Sequence, residues 1–81
     1  MKKYTIIYKK GKDFIKYETD TLFTIEMINV FDFTELLIIN NYNGNKIDFN
    51  YQDRNTILIY EYLKIENELI CCDSYIENRN F

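Results

Sequence analysis

The chain reads as an all-β protein of one domain over residues 1–81, a single small antiparallel sheet built from hairpins, or an α+β variant of it if the C-terminal segment is a short helix. Three observations predict this. β-Branched and aromatic residues crowd into short runs, brief polar turns separate the runs, and both glycines, Gly11 and Gly44, fall in such turns. A chain of 81 residues has room for one core.

Residues 3–9 and 14–19 are rich in Tyr, Ile, Thr and Phe and flank Lys10-Gly11-Lys12-Asp13, which predicts a first hairpin. Tyr4, Ile6 and Tyr8 point one way and Thr5, Ile7 and Lys9 the other, so both faces are partly apolar. In residues 21–31, Phe23, Ile25 and Met27 alternate with Thr24 and Glu26, whereas Leu22, Ile25, Met27, Ile28 and Phe31 also fit a broad helical face. The abundance of Thr, Ile, Val and Phe favours a strand.

The strongest local signal follows. Glu35–Asn40 and Lys46–Tyr51 flank Asn41-Tyr42-Asn43-Gly44-Asn45, and Asn-Gly favours the tight turns that join antiparallel strands. In the second arm Ile47, Phe49 and Tyr51 alternate with Lys46, Asp48 and Asn50, giving one apolar and one wet face. Polar residues 52–55 then lead into Thr56–Leu63, dense in β-formers. From Lys64 to Phe81 the chain is ambiguous, because Tyr62, Ile65, Leu69, Cys72 and Ile76 recur at helical spacing. Residues 65–68 can instead turn the chain, with Asn67 taking the left-handed conformation, and return Leu69–Tyr75 as a strand. The strand is favoured, and residues 77–81 are expected to fray. The element order and turn placement over residues 3–63 resemble an SH3-like small barrel, which implies closure as the alternative to an open sheet.

The composition bears on chemistry. There is no His, the side chain most used for proton transfer near neutral pH and for transition metals. Cys71 and Cys72 are adjacent, so they close no loop and complete no zinc shell; they are expected as packing residues in a reducing compartment. The carboxylate pairs Glu18/Asp20, Asp32/Glu35 and Glu66/Glu68 need a cleft that a small β domain scarcely offers. Two glycines are too few for a phosphate cradle. The expectation is no enzyme, no catalytic residue, no metal and no cofactor. No apolar run approaches the roughly 18 residues of a membrane span, and no apolar leader segment follows Met1-Lys2-Lys3-Tyr4, so a cytoplasmic location is expected.

Charge is uneven. Residues 1–17 are net +5 and residues 18–81 net -8, within an overall -3. Tyr and Phe number 8 and 6. Tyr offers large contact area at low rotamer cost, so an acidic, Tyr-rich face made of Tyr42, Asp48, Tyr51, Asp53, Tyr60, Glu61 and Tyr62, or a free sheet edge, suits binding to another protein. Such a face can mimic phosphates in the groove of a nucleic-acid-binding host protein. The Ile, Asn, Lys and Tyr richness is typical of an AT-rich genome, and the small, acidic, His-free form resembles the accessory proteins with which phages block host defences. That resemblance implies an anti-CRISPR or other anti-defence inhibitor, working in the host cytoplasm. A second reading places nucleic acid on the basic N-terminal hairpin, through Tyr8, Lys9, Lys10, Lys12 and Phe14, although the acidic remainder repels polyanions. A third is a pocket that sequesters a nucleotide signal. Unpaired strand edges also make a homodimer an expectation.

Overall fold

The computed structural model describes residues 1–28 and 35–79. Six strands form one sheet: β1 (Tyr4–Lys10), β2 (Asp13–Thr19), β3 (Leu36–Asn40), β4 (Lys46–Asp53), β5 (Thr56–Ile65) and β6 (Glu68–Asn78). Every pairing is antiparallel, in the order β2-β1-β3-β4-β5-β6, leaving β2 and β6 as edges. The predicted all-β class and single antiparallel sheet are what the chain adopts; the sheet does not close into a barrel.

Alternation sorts the strands into two faces. The inner face carries Tyr4 and Ile6 of β1, Ile38 of β3, Ile47 of β4, and Ile57 and Ile59 of β5, all buried in one cluster with Leu22, Phe23 and Ile25. The last three belong to a 3-10 helix, Leu22–Met27, which corrects the strand predicted for this stretch. A strand would have turned Leu22 away from Phe23 and Ile25, whereas the helical turn sinks all three into the open side of the sheet. Thr21 caps it, its hydroxyl accepting from the Phe23 amide at 3.2 Å, and the Leu22 amide donates to Oε2 of Glu77 at 3.0 Å. The part of the predicted strand beyond Ile28 lies outside the described residues.

The turns follow local chemistry. Gly11, at φ +65, is the first central residue of the two-residue turn between Lys10 and Asp13, the position a II′-type hairpin reserves for glycine. The predicted 35–40/46–51 hairpin forms, but not around a tight Asn-Gly turn. Its loop is longer: the Gly44 amide donates to the Asn40 carbonyl at 2.8 Å, the Asn40 amide to the Asn45 carbonyl at 2.9 Å, and Gly44 alone of the loop takes a positive φ, +76. Among the described residues β3 and β4 pair at one register position, Ile39 with Lys46.

The C-terminal segment is a strand, as favoured over the helix. Glu66, at φ 56, turns the chain in place of the expected Asn67. Nor do residues 77–79 fray. The Arg79 amide donates to the Asn55 carbonyl at 2.8 Å and its guanidinium lies 4.2 Å from the Phe23 ring centre while pairing with Glu26. The helix is thereby tied to the end of β6. Residues 80–81 lie outside the described residues.

Candidate functional site

Glu61 occupies an inner position on β5, two residues beyond Ile59, and is 4% exposed. A buried carboxylate costs several kcal/mol unless hydrogen bonds replace its water. Here four donors do so. The Tyr75 hydroxyl donates to Oε2 at 2.7 Å and Asn40 Nδ2 to the same oxygen at 3.0 Å, while Asn43 and Asn45 reach Oε1 at 3.0 and 3.1 Å. Burial opposes ionisation of Glu61, yet the bonds from Tyr75, Asn43, Asn45 and Asn40 together hold its pKa below the usual value. The same three asparagines shape the β3–β4 loop, with Asn40 Oδ1 accepting from the Tyr42 amide and Asn43 Oδ1 from the Asn45 amide, both at 2.9 Å. Glu61 is therefore the anion on which that loop is built.

Tyr75 also meets the Tyr4 hydroxyl at 3.0 Å, joining β6 to β1 across the core. Lys3 lies over both rings, 5.2 Å from the Tyr4 centre and 4.7 Å from that of Tyr75. Burial first, then its contacts with Tyr4 and Glu61, push the Tyr75 phenol well above its ordinary pKa and keep it a donor.

The acidic, Tyr-rich set predicted as a partner face is divided by this fold. Asp48, Tyr60 and Tyr62 share the outer face, where Asp48 is opposite Tyr60 and Lys46 opposite Tyr62. Tyr51 and Glu61 point inward, Tyr51 with its ring 6.3 Å from Phe23 and 5.8 Å from Phe49. Tyr42 sits in the β3–β4 loop, its hydroxyl donating to the Met1 carbonyl at 3.1 Å, and Asp53 holds the β4–β5 turn by accepting from the Asn55 amide at 2.8 Å.

The basic hairpin is divided as well. Lys9 and Phe14 are opposite one another on the outer face, beside Lys16, with Phe14 69% exposed and Lys9 3.5 Å from Glu35. Lys10 and Lys12 are exposed in and beside the turn, while Tyr8 faces inward in an edge contact with Tyr17.

Two features escaped the sequence reading. On β4, β5 and β6 the outer face presents Asp48, Leu58, Tyr60 and Ile76 side by side, with Asp48 and Ile76 exposed. Cys71 and Cys72 are both exposed, contrary to the packing role expected of them. They sit at the point where the β5–β6 register shifts, on an edge strand that has no further strand beside it among the described residues. The inward parity of Ile57, Ile59 and Glu61 was the available signal for a satisfied buried anion; nothing in the sequence marked its asparagine partners.

Among the described residues no group of three His, Cys, Asp or Glu side chains could hold a metal ion, and no helix is long and apolar enough to cross a membrane. Comparison with protein-family models, curated proteins and solved structures gives no match to this chain.

Proposed function

We propose that the chain is a non-enzymatic protein-binding module whose contact surface is the outer face of β4, β5 and β6. The observation that carries this is the juxtaposition of Leu58, Tyr60 and Ile76, with exposed Asp48 at their border, on the outer face of the sheet. Ile76 is 58% exposed and Tyr60 half-buried, and a soluble chain leaves such a contiguous apolar and aromatic patch open where something binds. Tyr60 supplies a rigid ring with a polar tip at the centre, the design of an interface anchor.

A larger protein is the partner of this reading, and within it the finer proposal is a phage-type inhibitor of a host defence protein, supported by composition: small, acidic and free of His. The test is a pull-down from bacterial lysate, followed by calorimetry on the retained protein. Tyr60→Ala and Ile76→Lys are expected to weaken the complex about 30-fold or more, and Asp48→Lys to slow association. Retention of the same protein by all three variants with unchanged affinity would sink the proposal.

A second reading has its own observation. Phe14 stands exposed between Lys9 and Lys16 on the outer face of the first hairpin, an arrangement that stacks a base and neutralises its phosphates. It predicts retention on a polynucleotide column at low salt, lost in Phe14→Ala; free passage of the wild-type chain would end it.

A further inference from the structure

The β5–β6 hairpin outruns the sheet. Lys46, the first residue of β4, is opposite Tyr62, and beyond that point Leu63, Lys64 and Ile65 pair with Ile70, Leu69 and Glu68, with no further strand beside them among the described residues. The result is a two-stranded arm ending in the Glu66-Asn67 turn. Leu63, Ile65, Leu69 and Ile70 on it are 44%, 49%, 47% and 45% exposed. An isolated hairpin is marginal in water, and aliphatic groups on both its faces make it a surface that favours cover.

Along the outer side of the arm runs a groove with Leu37, Ile39, Gly44 and Lys46 on one wall and Tyr62, Lys64, Leu69 and Asn67, residues of the β5–β6 hairpin itself, on the other. Lys46 and Lys64 make no ion pair among the described residues, and neither do Glu66 and Glu68 at the tip of the arm. The arm is therefore one wall of the groove, so each chain presents an apolar channel edged by Lys46 and Lys64 and, at the end of the same arm, the negative pair Glu66 and Glu68.

We infer that the occupant of the groove is a second copy of this chain, each protomer laying its arm, with Glu66 and Glu68 leading, against Lys46 and Lys64 of its partner. A two-fold contact requires a surface complementary to itself, and this one carries both halves. The inference goes beyond the protein-binding reading and uses different residues, so the two stand or fall separately.

Sedimentation equilibrium on the full chain, from micromolar concentrations to about 1 mM, tests it. The wild type is expected to show a monomer–dimer equilibrium that weakens with salt. Lys46→Glu with Lys64→Glu, and separately Glu66→Lys with Glu68→Lys, should each raise the dimer Kd about tenfold or more. Mixing the two double variants should restore association, because each groove then faces an arm of opposite charge. Ile65→Lys, at an exposed position where folding is not at risk, should also abolish the dimer, and Tyr60→Ala should leave it intact. A wild type that stays monomeric throughout, or double variants that fail to associate on mixing while retaining native far-UV spectra, would overturn the inference.

Discussion

The Tyr75 hydroxyl donates to Glu61 Oε2 at 2.7 Å and lies 3.0 Å from the hydroxyl of Tyr4, so one phenol of the edge strand serves both the buried anion and the opposite side of the core. Its replacement by Phe keeps the ring packing and removes one donor of four. Tyr75→Phe is expected to lower stability by about 1.5–3 kcal/mol, the range for hydrogen bonds to charged groups, read as a fall in urea midpoint at unchanged slope.

Acid should loosen the fold through the same carboxylate. Because the folded pKa of Glu61 is depressed, its stabilisation is fully present above the unfolded value, about 4.3, and is lost as pH falls through the lower folded value. Asp20, held down by the Lys3 amide and then by Lys2, acts in the same direction. Glu61→Gln is expected to be destabilised at pH 7 and to show a flatter dependence of stability on pH below about 4.3, measured by denaturation series.

Glu66 takes a positive φ, 56, at a cost of about 1 kcal/mol that glycine does not bear. Glu66→Gly should therefore stabilise the chain by about that amount when measured at low micromolar concentration, while Asn67→Gly should not. The sequence alone points to the other residue, since Asn is the one tolerant of that conformation.

Arg79 anchors the end of β6 on Phe23 and Glu26. Arg79→Ala is expected to cost about 1 kcal/mol and to speed hydrogen exchange in the helix Leu22–Met27 more than in β1.

Both thiols should react with a disulfide reagent in the native state, at rates near those of the unfolded chain, because Cys71 and Cys72 are exposed. Replacing both with Ser should change stability by no more than about 0.5 kcal/mol.

What the residues made legible was local. Alternation in Tyr4–Tyr8 and Ile47–Tyr51, the glycine turns and the Glu66-Asn67 reversal specify which segments are strands and which faces they bury. The stretch from Leu22 was misread because a six-residue 3-10 helix is too short to set its own period, and what decides it is the open side of a sheet made by residues distant in sequence. The candidate face failed to assemble for a related reason. Tyr51 and Glu61 share type with Asp48 and Tyr60 but not parity, and parity, not composition, determines which side a side chain joins. The asparagines of the β3–β4 loop read as turn formers, and their second duty as donors to Glu61 depends on β5 arriving beside them.

The contact of Tyr4 with Tyr75 bridges 71 positions of the chain. During synthesis the first hairpin can form as soon as it leaves the ribosome, but Leu22, Phe23 and the Glu61 carboxylate stay without their final partners until residues 75–79 have been made. Nascent chains of intermediate length thus hold an apolar sheet open to solvent, and the arrival of residues 75–79 seals it in one late step.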